Sequence, residues 1–441
     1  MDGENRALAA TPDQPADSSG KAAPLGASPD RLASLDFIRG IAVLGIIFAN
    51  IHAFGQPLIA SMWPPAGMAP AASDDAFWLA QFVLVDGKMR GLFSVLFGAG
   101  MILFLEKAWS RGSGRWLQAR RLGWLALFGL AHFFLLFRGD ILFNYAICGL
   151  IAMAVARWDW KNLFWIGFGG YAIACGLYLL SLTFPMVAEQ AGTIDEMRDN
   201  PMTAQMVTAL EQQRDDLIAD GAARDAAWDE GFSAAVRDTW TNQWQMVLKG
   251  PLNGLFETVP LMLMGMGLFK RGWFDPGAST SGRRRRGWIM VIGGTIATAL
   301  LGWWVVSTGF GYFTTMFVAA AAGMVTRLPV VIGLVPLLTA WAPRAVESEL
   351  GARFAAAGRM AFSNYLGTSI IMLAVFQGWA LGLFGELTRG PLLAIAAATA
   401  AVMLLWSKPW LARYRFGPLE WLWRCLTYGK LFPLRRELGQ P

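Results

Sequence analysis

The sequence predicts an all-α polytopic membrane protein of about ten transmembrane helices, with both termini cytoplasmic. Three observations predict it. Hydrophobic residues make up 55% of the 441-residue chain and charged residues only 15%, where soluble domains carry about a quarter. A mean hydropathy of +0.42 accompanies 49 glycines, 21 tryptophans and 29 phenylalanines, a composition suited to apolar helices packed through small residues. Apolar runs long enough to cross a bilayer are flanked by basic residues on alternate sides.

Residues 1–30 hold almost no large apolar side chain and read as a disordered tail, unable to offset the entropy of ordering. The tail lacks the build of a signal peptide, so the first apolar run reads as a retained anchor. An N-terminal transmembrane half (31–185) carries candidate spans at 36–56, 79–105, 121–138, 140–157 and 162–185. The second is interrupted by Asp86, Lys88 and Arg90, and reads as a broken or re-entrant entry followed by a helix from Gly91. A C-terminal half (249–407) carries spans at 249–269, 287–307, 311–341, 358–379 and 390–407. Arg327 and Pro329 leave 311–341 readable as one span or two.

Charge decides that point. Lys107, Arg111, Arg115, Arg120 and Arg121 follow the second span; Lys270, Arg271 and Arg283 to Arg286 follow the sixth; a basic, Trp-rich interfacial tail (408–441) follows the tenth. Short basic loops stay in the cytoplasm, and all three share one side only if 311–341 crosses once. Between the halves lies an extracytoplasmic helical insert (186–248); its Met186 to Met246 stretch holds 12 acidic residues against 4 arginines. It reads as two short amphipathic helices forming a solvated cap, with a lid over a substrate site as the alternative.

Ionisable groups inside spans are costly, so they line cavities or pair with each other. The chain has only two histidines, His52 closing the first span and His132 within the third. Asp140 opens the fourth span with Tyr145 one turn on, and Asp86, Lys88, Arg90 and Glu257 fall in outer halves of their spans. On this topology they converge on one polar cavity near the outer face. Plainer readings stand beside each: an interfacial His52, a packing His132, a helix-capping Asp140, snorkelling Lys88 and Arg90. Arg39 shares a helical face with Asp36, as an inner-boundary ion pair or a ligand for an anion. Arg359, Asn364 and Tyr365 open the ninth span from inside.

Absences narrow the field. No phosphate-binding Gly-rich loop, metal-spaced cluster or Gly-x-Ser-x-Gly elbow occurs in the sequence. The basic residues sit in short loops rather than on one aromatic-studded face, which argues against nucleic acid. Cys148, Cys175 and Cys425 share no ligand spacing and read as free thiols.

Five ordered blocks carry a family resemblance: Leu35-Asp36-Phe37-Ile38-Arg39-Gly40; Asp86-Gly87-Lys88 through Gly98; Gly139-Asp140-Ile141-Leu142 with Tyr145; Gly358-Arg359-Met360-Ala361 with Asn364-Tyr365-Leu366; and Gly417-Pro418-Leu419-Glu420-Trp421. Over about residues 31 to 430 the chain resembles the YeiB-like inner-membrane family, a domain of unknown function of DUF418 type. The first span is also similar to those of membrane acyltransferases, in which a Leu-Asp-x-x-Arg-Gly opening leads to a histidine at the far end. Here Asn50, the residue YeiB-like proteins more often carry, stands beside His52.

The resemblance implies an acyltransferase with no bound cofactor, moving an acyl group from acyl-CoA to an extracytoplasmic or lipid-linked acceptor. His52, His132 and Asp140 would be its catalytic residues. Arg39, Asn50, Asp86, Lys88, Arg90, Tyr145, Glu257, Arg359, Asn364 and Tyr365 would bind substrate. A permease for a small anionic or amphipathic solute is the alternative. The expected partners are the lipid bilayer and a small-molecule or lipid-linked substrate, the location is the inner (plasma) membrane, and the oligomeric state is open.

Overall fold

The computed structural model describes residues 29–57, 59–60, 63–66, 73–112, 114–192 and 200–436. The tail expected over 1–30 lies outside them except for Pro29 and Asp30, which already belong to the first helix. The helices are α1 (Pro29–Gly55), α2 (Asp74–Leu84), α3 (Lys88–Trp109), α4 (Trp116–Leu135), α5 (Leu142–Ala154), α6 (Trp160–Ala191), α7 (Pro201–Asp229) and α8 (Phe232–Asn242). They continue as α9 (Gln245–Phe256), α10 (Thr258–Lys270), α11 (Ser281–Ser307), α12 (Tyr312–Glu347), α13 (Glu349–Arg359), α14 (Ala361–Phe376), α15 (Arg389–Arg413) and α16 (Pro418–Tyr428). Among the described residues the only β pairing is an isolated bridge between Tyr414 and Arg435.

Six helical segments are long and apolar enough to cross a membrane: most of α1, α2–α3 together, α6, α11, α12 and α15. Two pairs qualify only when joined across a bend, α9–α10 at 47° and α13–α14 at 86°. Length and composition therefore give six to eight spans rather than the ten expected. The shortfall has a physical source. Helix α4 spends Gln118, Arg120, Arg121 and His132 within its turns, and α5 is only 13 residues long.

Sequence-local signals fix many boundaries. Asp159, Thr280 and Ser348 each accept a backbone N–H of the first turn, at Asn162, Arg283 and Gly351. The break between α2 and α3 falls at Val85–Gly87, with Gly87 at a φ of 70°, so the second span is interrupted where its charges predict. Helix α12 does run as one segment through Arg327. Its residues Phe317–Ala322 form a π-helical stretch, and Arg327 donates Nε to Gly323 O (3.1 Å) and Nη2 to Ala319 O (2.7 Å). The insert departs from expectation: α7 is a single helix of 29 residues, followed by the short α8.

The helices form a two-ended bundle. At one end Lys270 donates to the carbonyls of Ala156 and Trp158, Arg157 lies 5.1 Å over Trp109, and Trp423 donates to Arg121 O. The basic loops thus gather at this end. At the other, Gly385 N reaches Gly55 O (2.9 Å), Trp63 donates to Phe310 O (2.6 Å), and Glu189 accepts from Phe313 N and Thr314 N.

Candidate functional site

Helix α4 stops at Leu135 and the chain turns back into α5 through residues 136–141. The turn brings Asp140 against His132, with Oδ1 2.7 Å from His132 Nδ1. Its second oxygen accepts from Phe143 N (2.8 Å) and caps α5, so one carboxylate serves both purposes. On the far side of the ring, His132 Nε2 lies 2.8 Å from Ser369 Oγ on α14. Asp140 accepts only, so Nδ1 carries the proton and Nε2 accepts from the serine hydroxyl. The imidazole and carboxylate side chains are 0% and 1% exposed. Nearby Thr368 and Ser407 return their hydroxyls to the carbonyl four residues back, the usual habit within a helix, whereas Ser369 turns to the imidazole.

A cavity of about 210 Å³ opens toward the basic end and stops at Ile141 and Tyr365, behind which this array lies outside the lining. Arg39, Arg121 and Arg359 line its mouth, Phe93, Leu96 and Leu125 its wall, and Ile141, Tyr145 and Tyr365 its inner end. Helices α1 and α13 cross at Gly40 and Gly358: a Cβ on either would overlap the facing carbonyl, of Phe354 or Asp36. That close approach sets the neighbouring Arg39 and Arg359 side by side. Arg39 Nη1 holds Asp36 at 2.7 Å, while Arg121 lies 4.4 Å from the Trp423 ring and 4.8 Å from that of Phe104. Glu420, also in the lining, is spent on the start of α14, accepting from Phe362 N, Ser363 N and Ser363 Oγ (2.5 Å). Burial pushes its carboxyl above the ordinary range, against the hydrogen bonds from Ser363. The mouth thus carries excess positive charge over an apolar interior.

A second cavity, of about 110 Å³, lies toward the opposite end, lined by Phe54, Phe137, Gly139, Met372, Leu373 and Gln243 among others. The His132 ring stands between the two, 5.0 Å from Tyr365 in the first lining and 6.2 Å from Phe137 in the second.

His52 belongs to a different group. Its Nε2 is 2.7 Å from Gln81 Oε1 and 3.2 Å from Arg389 Nη1, and Gln81 Nε2 donates to Asp86 Oδ1 (3.2 Å). Lys88 donates to Phe82 O (2.9 Å) beside it. A third group joins Arg90 to Glu257 (2.6 Å) and Glu257 to Arg327 (3.1 Å) at the α9–α10 bend.

The single outer hollow expected from the sequence is thus three hydrogen-bonded sets, the second and third abutting where the Arg327 guanidinium lies against Gly87, and the expectation is corrected accordingly. Arg39, Arg359, Tyr145 and Tyr365 share the first cavity, while His132 and Asp140 lie behind Tyr365 and Ile141, outside its lining. Asp86 and Lys88 lie with His52, and Arg90 with Glu257. Asn50 is half-buried two residues before His52. Asn364 binds Ala357 O, Ser407 Oγ and Trp406 Nε1, which ties three helices together and leaves it outside the lining. Sequence reasoning missed Ser369, Arg121, Gln81 and Arg389. A serine in an apolar helix has no signature of its own, but the spacing of Tyr365 and Ser369 puts both on one face of α14.

The chain has relatives among known proteins. A family model described as "Protein of unknown function (DUF418)" matches residues 268–430. The uncharacterized protein YxaH of Bacillus subtilis (strain 168) is 30% identical over 422 residues, covering 92% of this chain and 97% of the relative. The uncharacterized protein YeiB of Escherichia coli (strain K12) is 30% identical over 403 residues, covering 90% and 96%. No solved structure matches the chain. With relatives this similar over nearly their whole length, the chain belongs to the YeiB-like DUF418 family.

Proposed function

We propose that the chain is an inner-membrane acyltransferase that takes an acyl group from acyl-CoA and passes it to an extracytoplasmic or lipid-linked acceptor. One observation carries this reading: a serine–histidine–aspartate array packed behind Tyr365, which ends an apolar cavity whose mouth holds three guanidiniums. Such a cavity suits an amphipathic anion, with phosphates at Arg39, Arg121 and Arg359 and the acyl chain against the apolar wall. With Nδ1 held by Asp140, the imidazole presents Nε2 as a general base, and the carboxylate offsets the charge that forms on it.

In this reading α2–α3, α9–α10, α12 and α13–α14 each cross the membrane once. With α1, α4, α5, α6, α11 and α15 they make ten crossings, with the basic end and both termini in the cytoplasm. His52 then supports the outer end through Gln81 and Arg389 and takes no part in proton transfer.

Two cavities flanking a closed polar partition also suit a solute pathway, which favours a permease for an amphipathic anion as the second reading. Purified protein in proteoliposomes, supplied with radiolabelled acyl-CoA and an extract of envelope acceptors, separates the two. An acyltransferase releases CoA and labels an acceptor. A permease moves solute down its gradient with no acyl donor and labels nothing.

A further inference from the structure

We propose that Ser369 is an acyl-accepting nucleophile, so that transfer runs through a covalent acyl-serine inside the bundle. The inference rests on the acyltransferase reading and goes beyond it, because that reading needs only a base acting directly on the acceptor.

The geometry points to the serine for three reasons. Its hydroxyl is 2.8 Å from His132 Nε2, the nitrogen left to accept once Nδ1 donates to Asp140. It stands one turn from Tyr365, which closes the first cavity, and one turn from Met372 and Leu373, which line the second. Tyr365 also supplies an oxyanion donor: its hydroxyl oxygen accepts from Ile141 N (3.3 Å), and among the described residues no hydrogen bond uses its own proton. By contrast, Tyr145 donates to Arg90 O (3.1 Å).

The steps balance. Ser369 Oγ gives its proton to His132 Nε2 and attacks the thioester carbonyl carbon, and the tetrahedral oxygen receives the Tyr365 hydroxyl. The C–S bond breaks, the departing thiolate takes the proton from His132, and an ester remains on Ser369. An acceptor hydroxyl or amine arriving from the second cavity then gives a proton to His132 and attacks the ester carbonyl. Ser369 Oγ leaves and is reprotonated by the imidazolium. The acyl group alone passes the partition, while CoA stays at the basic end.

The test is trapping. Full-length protein in phosphatidylglycerol–phosphatidylethanolamine vesicles is mixed with radiolabelled acetyl-CoA or palmitoyl-CoA without acceptor, quenched in acid, and analysed by gel and by mass spectrometry. The expected result is label on the peptide carrying Ser369, lowered at least about 100-fold in Ser369→Ala and in His132→Ala. Ser369→Cys, which keeps the shape of the site, is expected to retain the label as a hydroxylamine-labile thioester. CoA release and acceptor labelling that persist in Ser369→Ala once the envelope-acceptor extract is added, with no labelled protein in the wild type, overturn the acyl-serine and leave the acyltransferase standing. Absence of label in the wild type, together with no CoA release after the envelope-acceptor extract is added, overturns the acyltransferase as well.

Discussion

Asp140 holds His132 and caps its own helix at once: Oδ1 lies 2.7 Å from His132 Nδ1 and Oδ2 2.8 Å from Phe143 N. The two roles separate under substitution. Asp140→Asn keeps an oxygen for the cap and is expected to hold stability within about 1 kcal/mol. It loses the fixed tautomer, and CoA release falls by about a thousandfold. Asp140→Ala loses both, which thermal unfolding in detergent and the release assay report independently.

The guanidinium mouth predicts a different kinetic signature. Arg121→Gln and Arg359→Gln are each expected to raise KM for acyl-CoA about tenfold, with kcat within about twofold, since they act on the bound anion and not on the proton. Initial rates across donor concentrations decide this. Arg39→Gln is a less clean probe, because it also frees Asp36.

At Gly358 an added methyl overlaps the Asp36 carbonyl, and nothing there is a flexible side-chain end. Gly358→Ala is therefore expected to force α13 away from α1 at a cost of about 2 kcal/mol. It also separates Arg39 from Arg359. A lower melting temperature together with a higher KM is the expected pair of readings.

The long apolar helices, the break at Asp86 and the single helix through Arg327 were legible because they rest on local properties: hydropathy, a charge run and a basic-loop count. The 86° bend between Arg359 and Ala361 was not, since it is held by Glu420 on α16, which caps α14 at Phe362 N from 58 residues away. His132 and Asp140 were legible as rare ionisable groups in apolar runs, and eight residues of separation allows them to meet. Ser369 was not, because only the packing of α14 against α4 and α5 gives its hydroxyl a meaning. The same limit explains why His52, so similar in sequence terms, belongs with Gln81 and Arg389 instead.

Glu257 neutralises two arginines at the α9–α10 bend. Arg327 is 9% exposed and Arg90 48%, so the loss on Glu257→Gln falls mainly on Arg327. About 3 kcal/mol of destabilisation is expected, toward the low end for breaking a buried pair. Denaturant titration in mild detergent measures it, and Arg90→Gln is expected to cost well under half as much.

In the proposed mechanism chemistry belongs to the His132 group and not to the His52 group. Parallel rates of acyl-CoA-dependent CoA release by His132→Gln and His52→Gln in the same vesicles test it most directly. The expected loss is at least about 100-fold for His132→Gln and less than about fivefold for His52→Gln. Equal losses, or a His132→Gln protein that turns over like the wild type, would contradict it.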